Sequence, residues 1–192
     1  MRALLLFLTQ LSAFAQIVCS LGSATASYQP SRDQRPTSDA MQIAGRVNAA
    51  EKTVCASNCP EVALVRNTTA PNVALIVNQG QGKLVYAPQF FAVVYSAFGD
   101  SGILAVMAHE TGHALDDAMG AAWIDKSWRP ELRADAWAGC ILARSNLTSG
   151  EMKAALAALT KFPSPAHPAW KSRVPAIRAG YMNCGGDDKP FR

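Results

Sequence analysis

Only three histidines and five glutamates occur in the 192 residues, charged residues make up 17% and aromatics 8%. No block of Lys or Arg stands anywhere in the chain, and the formal net charge is only +4. A nucleic-acid partner is therefore not expected. There is no internal repeat and no glycine period, which excludes solenoid and collagen-like architectures. After residue 21 no run approaches the roughly 20 apolar residues that a membrane span needs. No Cys-x-x-Cys pair occurs, so a four-cysteine zinc site has little to recommend it. What remains, with 49% hydrophobic residues, is the composition of one folded domain.

The N-terminus has a different character. Arg2 is the only charge before Arg32, an apolar run extends from Ala3 to Leu21, and Ala24-Thr25-Ala26 follows. A charged start, an apolar middle and an A-x-A site read as a secretory signal peptide over residues 1–26. Ala13-Phe14-Ala15 is a second cleavage option, and an uncleaved anchor is the alternative. Val18 before Cys19 does not suit a lipidation site. The chain is thus expected to be secreted or periplasmic, with no stable membrane span once the signal is cut. Four cysteines lie beyond it, an even number suited to two disulfides. Cys55 and Cys59 are close enough to close a local turn, which leaves Cys140 for Cys184.

Residues 27–40 are polar, with Pro30 and Pro36, and are expected as a loose arm before a single domain over 41–192. Val73–Val77 and Lys83–Tyr86 flank turn residues and predict a β-hairpin. The second strand could equally be an edge that receives an extended peptide. Pro88 predicts a helix that ends at Gly99, and a second should run from Asp100 or Ser101 to about Met119. Pro130 opens a third helix, Thr148-x-x-Glu151 is a capping box for a fourth, and a last segment ends near Cys184. The expected class is α+β, mostly helical with a small hairpin.

The chemistry concentrates in His109-Glu110-Thr111-Gly112-His113. Two histidines four apart on a helix stand on one face and can reach one ion. Glu110 beside the first can hold and deprotonate a water. A third ligand is needed, and Glu131 is the candidate. Asp135, one turn on, can accept the N–H on the far side of a ligating imidazole. Asp116, three residues after His113, is a candidate to buttress it, with a solvated helix face as the alternative. His167, Arg173 and Tyr181 are candidate donors to a developing oxyanion, with His167 the first choice between Pro165 and Pro168.

H-E-x-x-H followed by Glu131-x-x-x-Asp135 resembles the signature of the gluzincin metallopeptidases, and this form is similar to small exported bacterial gluzincins. The resemblance implies a zincin-like fold, Zn2+ held by His109, His113 and Glu131, Glu110 as general base, and a protein or peptide substrate. Pro130 stands where thermolysin-like enzymes usually carry Asn, and the chain is too short for their large helical domain, so their substrate preferences do not carry over. Two other classes remain open: a non-enzymatic zincin-fold protein with structural zinc or a partner-binding role, and hydrolysis of a non-protein amide.

Overall fold

The computed structural model describes residues 16–21, 28–70, 72–78, 81–161 and 168–192. Strands β1 (Gln16–Leu21), β2 (Asp33–Gln34), β3 (Val62–Asn67), β4 (Val73–Asn78) and β5 (Gln81–Tyr86) form a mixed sheet in the order β1-β4-β5-β3-β2. Helices α1 (Ser38–Cys55), α2 (Pro88–Ala118), α3 (Pro130–Arg144), α4 (Ser149–Lys161) and α5 (Trp170–Asn183) complete an α+β chain.

The expected hairpin is β4–β5, paired antiparallel from Val73↔Tyr86 to Asn78↔Gln81. β5 is not an edge, however. β3 runs parallel along its other side, from Val62↔Gly82 to Arg66↔Tyr86, so Lys83–Tyr86 has no free side for a peptide. β1 lies inside the segment expected as a signal peptide and pairs antiparallel with Val73–Val77 of β4. Residues 1–15 and 22–26 of that segment lie outside the described residues.

The expected arm contains structure of its own. Asn67 Nδ2 donates to Gln29 O at 2.9 Å and to Asp33 Oδ1 at 2.8 Å, tying the arm to the end of β3. α1 then starts at Ser38, where the Thr37 side chain accepts the Ala40 N–H. Ala40, Ile43, Val47 and Ala50 recur at helical spacing and bury one face of α1.

α2 is the central element. It is kinked at Gly99, whose φ of 62° and ψ of −160° no helical residue adopts, so the expected stop is a break inside one long element. By length and mean hydropathy of 1.6, α2 is apolar enough to cross a membrane, although no such run stands out in the primary sequence. Its second half is taken up by the fold, with every residue from Ser101 to Leu115 buried, whereas Val93 and Tyr95 in its first half are exposed. The sheet lies along it with Val73, Leu84 and Tyr86 in the shared core, while Ile76 and Val85 form a smaller cluster with Ala70.

α3 and α5 cross at backbone contact. A Cβ on Gly180 would lie 1.7 Å from Ala136 O, and one on Gly139 would lie 2.0 Å from Ile177 O. The same two helices carry the Cys140–Cys184 pair, with Cα atoms 5.1 Å apart. Cys55 and Cys59 form the other pair, 5.0 Å apart, at the end of α1. Both pairings are those expected. The capping box is also present: Thr148 N–H donates to Glu151 Oε2 at 2.8 Å, and Glu151 N–H returns to Thr148 Oγ1 at 3.3 Å.

Gly180→Ala should lower stability by at least about 2 kcal/mol, because the clash is with backbone and only helix separation relieves it. Gly45→Ala, at an exposed position of α1 with nothing within 4 Å, should instead raise it by about 1 kcal/mol. Chemical denaturation of both variants checks the pair.

Glu51 supplies a pH dependence. It is 5% exposed and its Oε1 has no hydrogen-bond partner; burial raises its pKa from 4.5 to about 7. Between those values the folded chain holds a proton that the unfolded chain has released. Stability contributed here is therefore present below about pH 4.5 and lost as pH rises through about 7. Glu51→Gln should raise Tm at about pH 8 and leave it nearly unchanged at about pH 4. Equal gains at both pH values would contradict this.

Candidate metal centre

His109 and His113 project from the same side of α2, with ring centroids 5.0 Å apart and planes at 86°. They are 0% and 5% exposed. α3 delivers the third group. Pro130 occupies its first turn and Glu131 follows, where a helix N-terminus favours a carboxylate. Glu131 then reaches both histidines: Oε2 lies 3.3 Å from His109 Nε2 and Oε1 lies 3.7 Å from His113 Nε2. The ligand atoms of all three residues fall within 4.8 Å of one another, a cluster able to hold a metal ion.

The close approach of the two helices has a local cause. A Cβ on Gly112, inside the motif, would lie 2.5 Å from Ala134 O and 3.1 Å from Trp137 Cβ. Only glycine lets α3 descend far enough to bring Glu131 to the histidine pair.

Asp135 sits where the spacing suggested. It is 0% exposed, and His109 Nδ1 lies 2.9 Å from its Oδ1. A carboxylate only accepts, so the Nδ1 proton points to Asp135 and Nε2 faces Glu131. Burial pulls the His109 pKa down, but hydrogen bonds to Asp135 and Glu131 outweigh it and raise it to about 9. Asp135 shows the reverse balance: burial pushes its pKa up, and hydrogen bonds from Arg173 and His109 hold it below the usual carboxylate range.

Arg173 is the residue whose role the primary sequence did not disclose. It is not an oxyanion donor. Its Nε and Nη2 donate to Asp135 at 2.8 and 2.7 Å, its Nη1 donates to Leu159 O, and it is 2% exposed. The available signal was Asp135 itself, since a buried carboxylate requires a cation. Tyr181 packs edge-on against Phe191, with centroids 5.5 Å apart. Asp116 does not support His113; its Oδ2 accepts from Arg133 Nε at 2.7 Å. His167 lies outside the described residues.

Glu110 is fully buried, and its Oε2 accepts the Leu75 N–H of β4 at 2.9 Å. The sheet thus fixes the carboxylate next to the first histidine.

The residues fit a metal ion by an observation besides their types. His113 Nε2 is buried without a hydrogen-bond partner, although it faces Glu131. A buried imidazole nitrogen in that position is satisfied by a cation. One divalent ion should bind per chain. His113→Ala should abolish binding and leave the stability of the metal-free protein little changed. Asp135→Asn should weaken binding by about 10–100-fold and also destabilise the fold, because Arg173 loses its counter-charge. Mass-spectrometric metal content and chelator competition, read beside thermal melts, separate the two effects.

The chain matches no family model, no curated protein and no solved structure, so the reading of this centre rests on its own geometry.

Proposed function

We propose that this chain is an exported zinc metallopeptidase of gluzincin type, with a zincin-like fold, acting on protein or peptide substrates. The observation that carries the reading is the convergence of His109, His113 and Glu131 beside a carboxylate, Glu110, that the ligand set does not use. Two imidazoles and one carboxylate are the donor set that zinc takes in hydrolases. The two cysteine pairs fit an oxidising compartment, which agrees with the signal-like N-terminus.

His109, His113 and Glu131 would hold the ion, which when bound supplies Lewis-acid polarisation of a carbonyl and a more acidic water. The chain's own part is positional and proton-handling. Asp135 fixes the His109 ring by its Nδ1–H, and Arg173 keeps Asp135 ionised and stationary. Glu110, oriented by the Leu75 N–H, accepts the proton of the attacking water and returns it to the leaving amine. His167 remains the proposed donor to the oxyanion.

Burial of both histidines, with Glu131 only partly exposed, also suits a structural ion without catalysis. A single substitution distinguishes the readings. Glu110→Gln should retain the metal and lose about 10²–10⁴-fold in peptide cleavage, since an amide cannot take the proton. Cleavage of a peptide library by the wild-type chain, with metal content measured in both proteins, is the test. Metal-loaded wild type that cleaves nothing would establish the structural reading.

A further inference from the structure

One end of the sheet borders the metal centre. β1 is the outermost strand on that side, so β4 would be an edge without it. The ladder between β4 and β5 fixes where the other main-chain groups of β4 point. Ala87 N–H donates to Asn72 O at 2.7 Å, so Asn72 and every second residue after it face β5 with their main-chain groups. Val73, Leu75 and Val77 therefore turn their N–H and C=O groups the other way, toward β1. Leu75 agrees with this, since its N–H donates to Glu110 Oε2 and not to β5. The edge that β1 covers thus lies beside the carboxylate next to the first histidine.

β1 follows this edge along its length. Gln16 pairs with Val77, Ile17 with Ile76, Cys19 with Leu75, Ser20 with Ala74 and Leu21 with Val73. The register slips between Ile17 and Cys19, beside Leu75, whose amide Glu110 holds. β1 also lies close to α2. Val73, Ala74, Leu75 and Ile76 are each 2% exposed or less. An apolar strand whose outward main-chain groups lost this cover would be a template for another strand.

We infer that Gln16–Leu21 is an internal stopper: it occupies the β4 edge that an extended peptide would otherwise take by strand addition, and so closes the approach to the metal centre. That the excluded peptide is a substrate rests on the peptidase reading; that β1 shuts the edge does not. Tethering gives β1 an effective concentration on the order of millimolar, which a free peptide must overcome. The two A-x-A sites then have opposite consequences. Hydrolysis after Ala15 leaves β1 at the start of the chain. Hydrolysis after Ala26, with one water added across the Ala26–Ser27 bond, detaches it and opens the edge.

The full chain, refolded under oxidising conditions with no signal peptidase present, is compared with a Cys19→Pro/Leu21→Pro variant. Each proline removes an N–H from β1, at the positions paired with Leu75 and Val73. The probe is a labelled hexapeptide with the sequence of residues 16–21 and Ser in place of Cys19, followed by fluorescence anisotropy. It should bind the variant at least about tenfold more tightly than the wild-type chain. Hydrogen exchange should find the Val73 and Val77 amides protected in the wild type and at least about tenfold faster in the variant. Peptide cleavage at low substrate should rise by a similar factor, through KM and not kcat. The inference is overturned if the wild-type Val73 and Val77 amides exchange as freely as in an unfolded chain, a result that does not require the variant to fold. It is also overturned if the probe binds both proteins equally, or if the variant cleaves no faster than an active wild type. A metal-loaded variant that gains probe binding yet cleaves nothing supports the stopper and refutes the peptidase reading.

Discussion

The Asp135 carboxylate, fully buried and ionised, is the constraint around which the helices are arranged. It takes hydrogen bonds from His109 on α2 and from Arg173 on α5 while itself belonging to α3. Arg173 in turn donates to Leu159 O on α4. Four helices therefore meet on one ion pair. Such a pair contributes little net stability compared with apolar packing, but breaking it leaves a naked charge inside the core. Its effect is to specify geometry: any helix arrangement that separates Asp135 from Arg173 is strongly disfavoured. The glycine contacts serve the same end, since Gly112, Gly139 and Gly180 allow the backbone approach that the short side chains of Asp135 and His109 require.

The other side of α2 is held by the sheet. Leu75 offers a main-chain N–H to Glu110, so strand register and carboxylate orientation are coupled. Sliding β4 by one residue would turn that N–H away and reverse which side chains meet the core. Glu110 and the histidine pair are thus positioned by different parts of the fold, the former by β4 and the latter by α3. Neighbouring residues on one helix turn receive distinct environments for this reason.

Much of the centre was legible because its geometry is local. His109 with His113, and Glu131 with Asp135, are each four residues apart on a helix, and that spacing alone places them on common faces. The capping box and the hairpin were legible on the same ground. Arg173 was not, because its role depends on a contact across 38 residues that only the α3–α5 crossing creates. β5 looked like a possible edge because nothing local reports that β3, some twenty residues earlier, returns parallel to it. α1 did carry its signal, an apolar period after Thr37, but its small Ala-rich face gives a weak contrast beside the prolines that precede it. The pairing of Gln16–Leu21 with β4 shows that an apolar run with β-branched residues suits a strand as well as a targeting segment.

The placement of Arg173 bears on the order in which the molecule can be made. A chain that emerges N-terminus first presents α2 with its histidines, then α3 with Glu131 and Asp135, well before α5 exists. Until α5 docks, Asp135 has no guanidinium, and α3 has little reason to bury it. The hydrogen-bonded frame around Asp135 is therefore complete only once the final helix is in place, and Cys140 and Cys184 can meet only after the same event. Closure of that bridge records the completion of the site in covalent form, so that a chain released early or cut short after α4 keeps His109, His113 and Glu131 yet lacks the Arg173 support behind them.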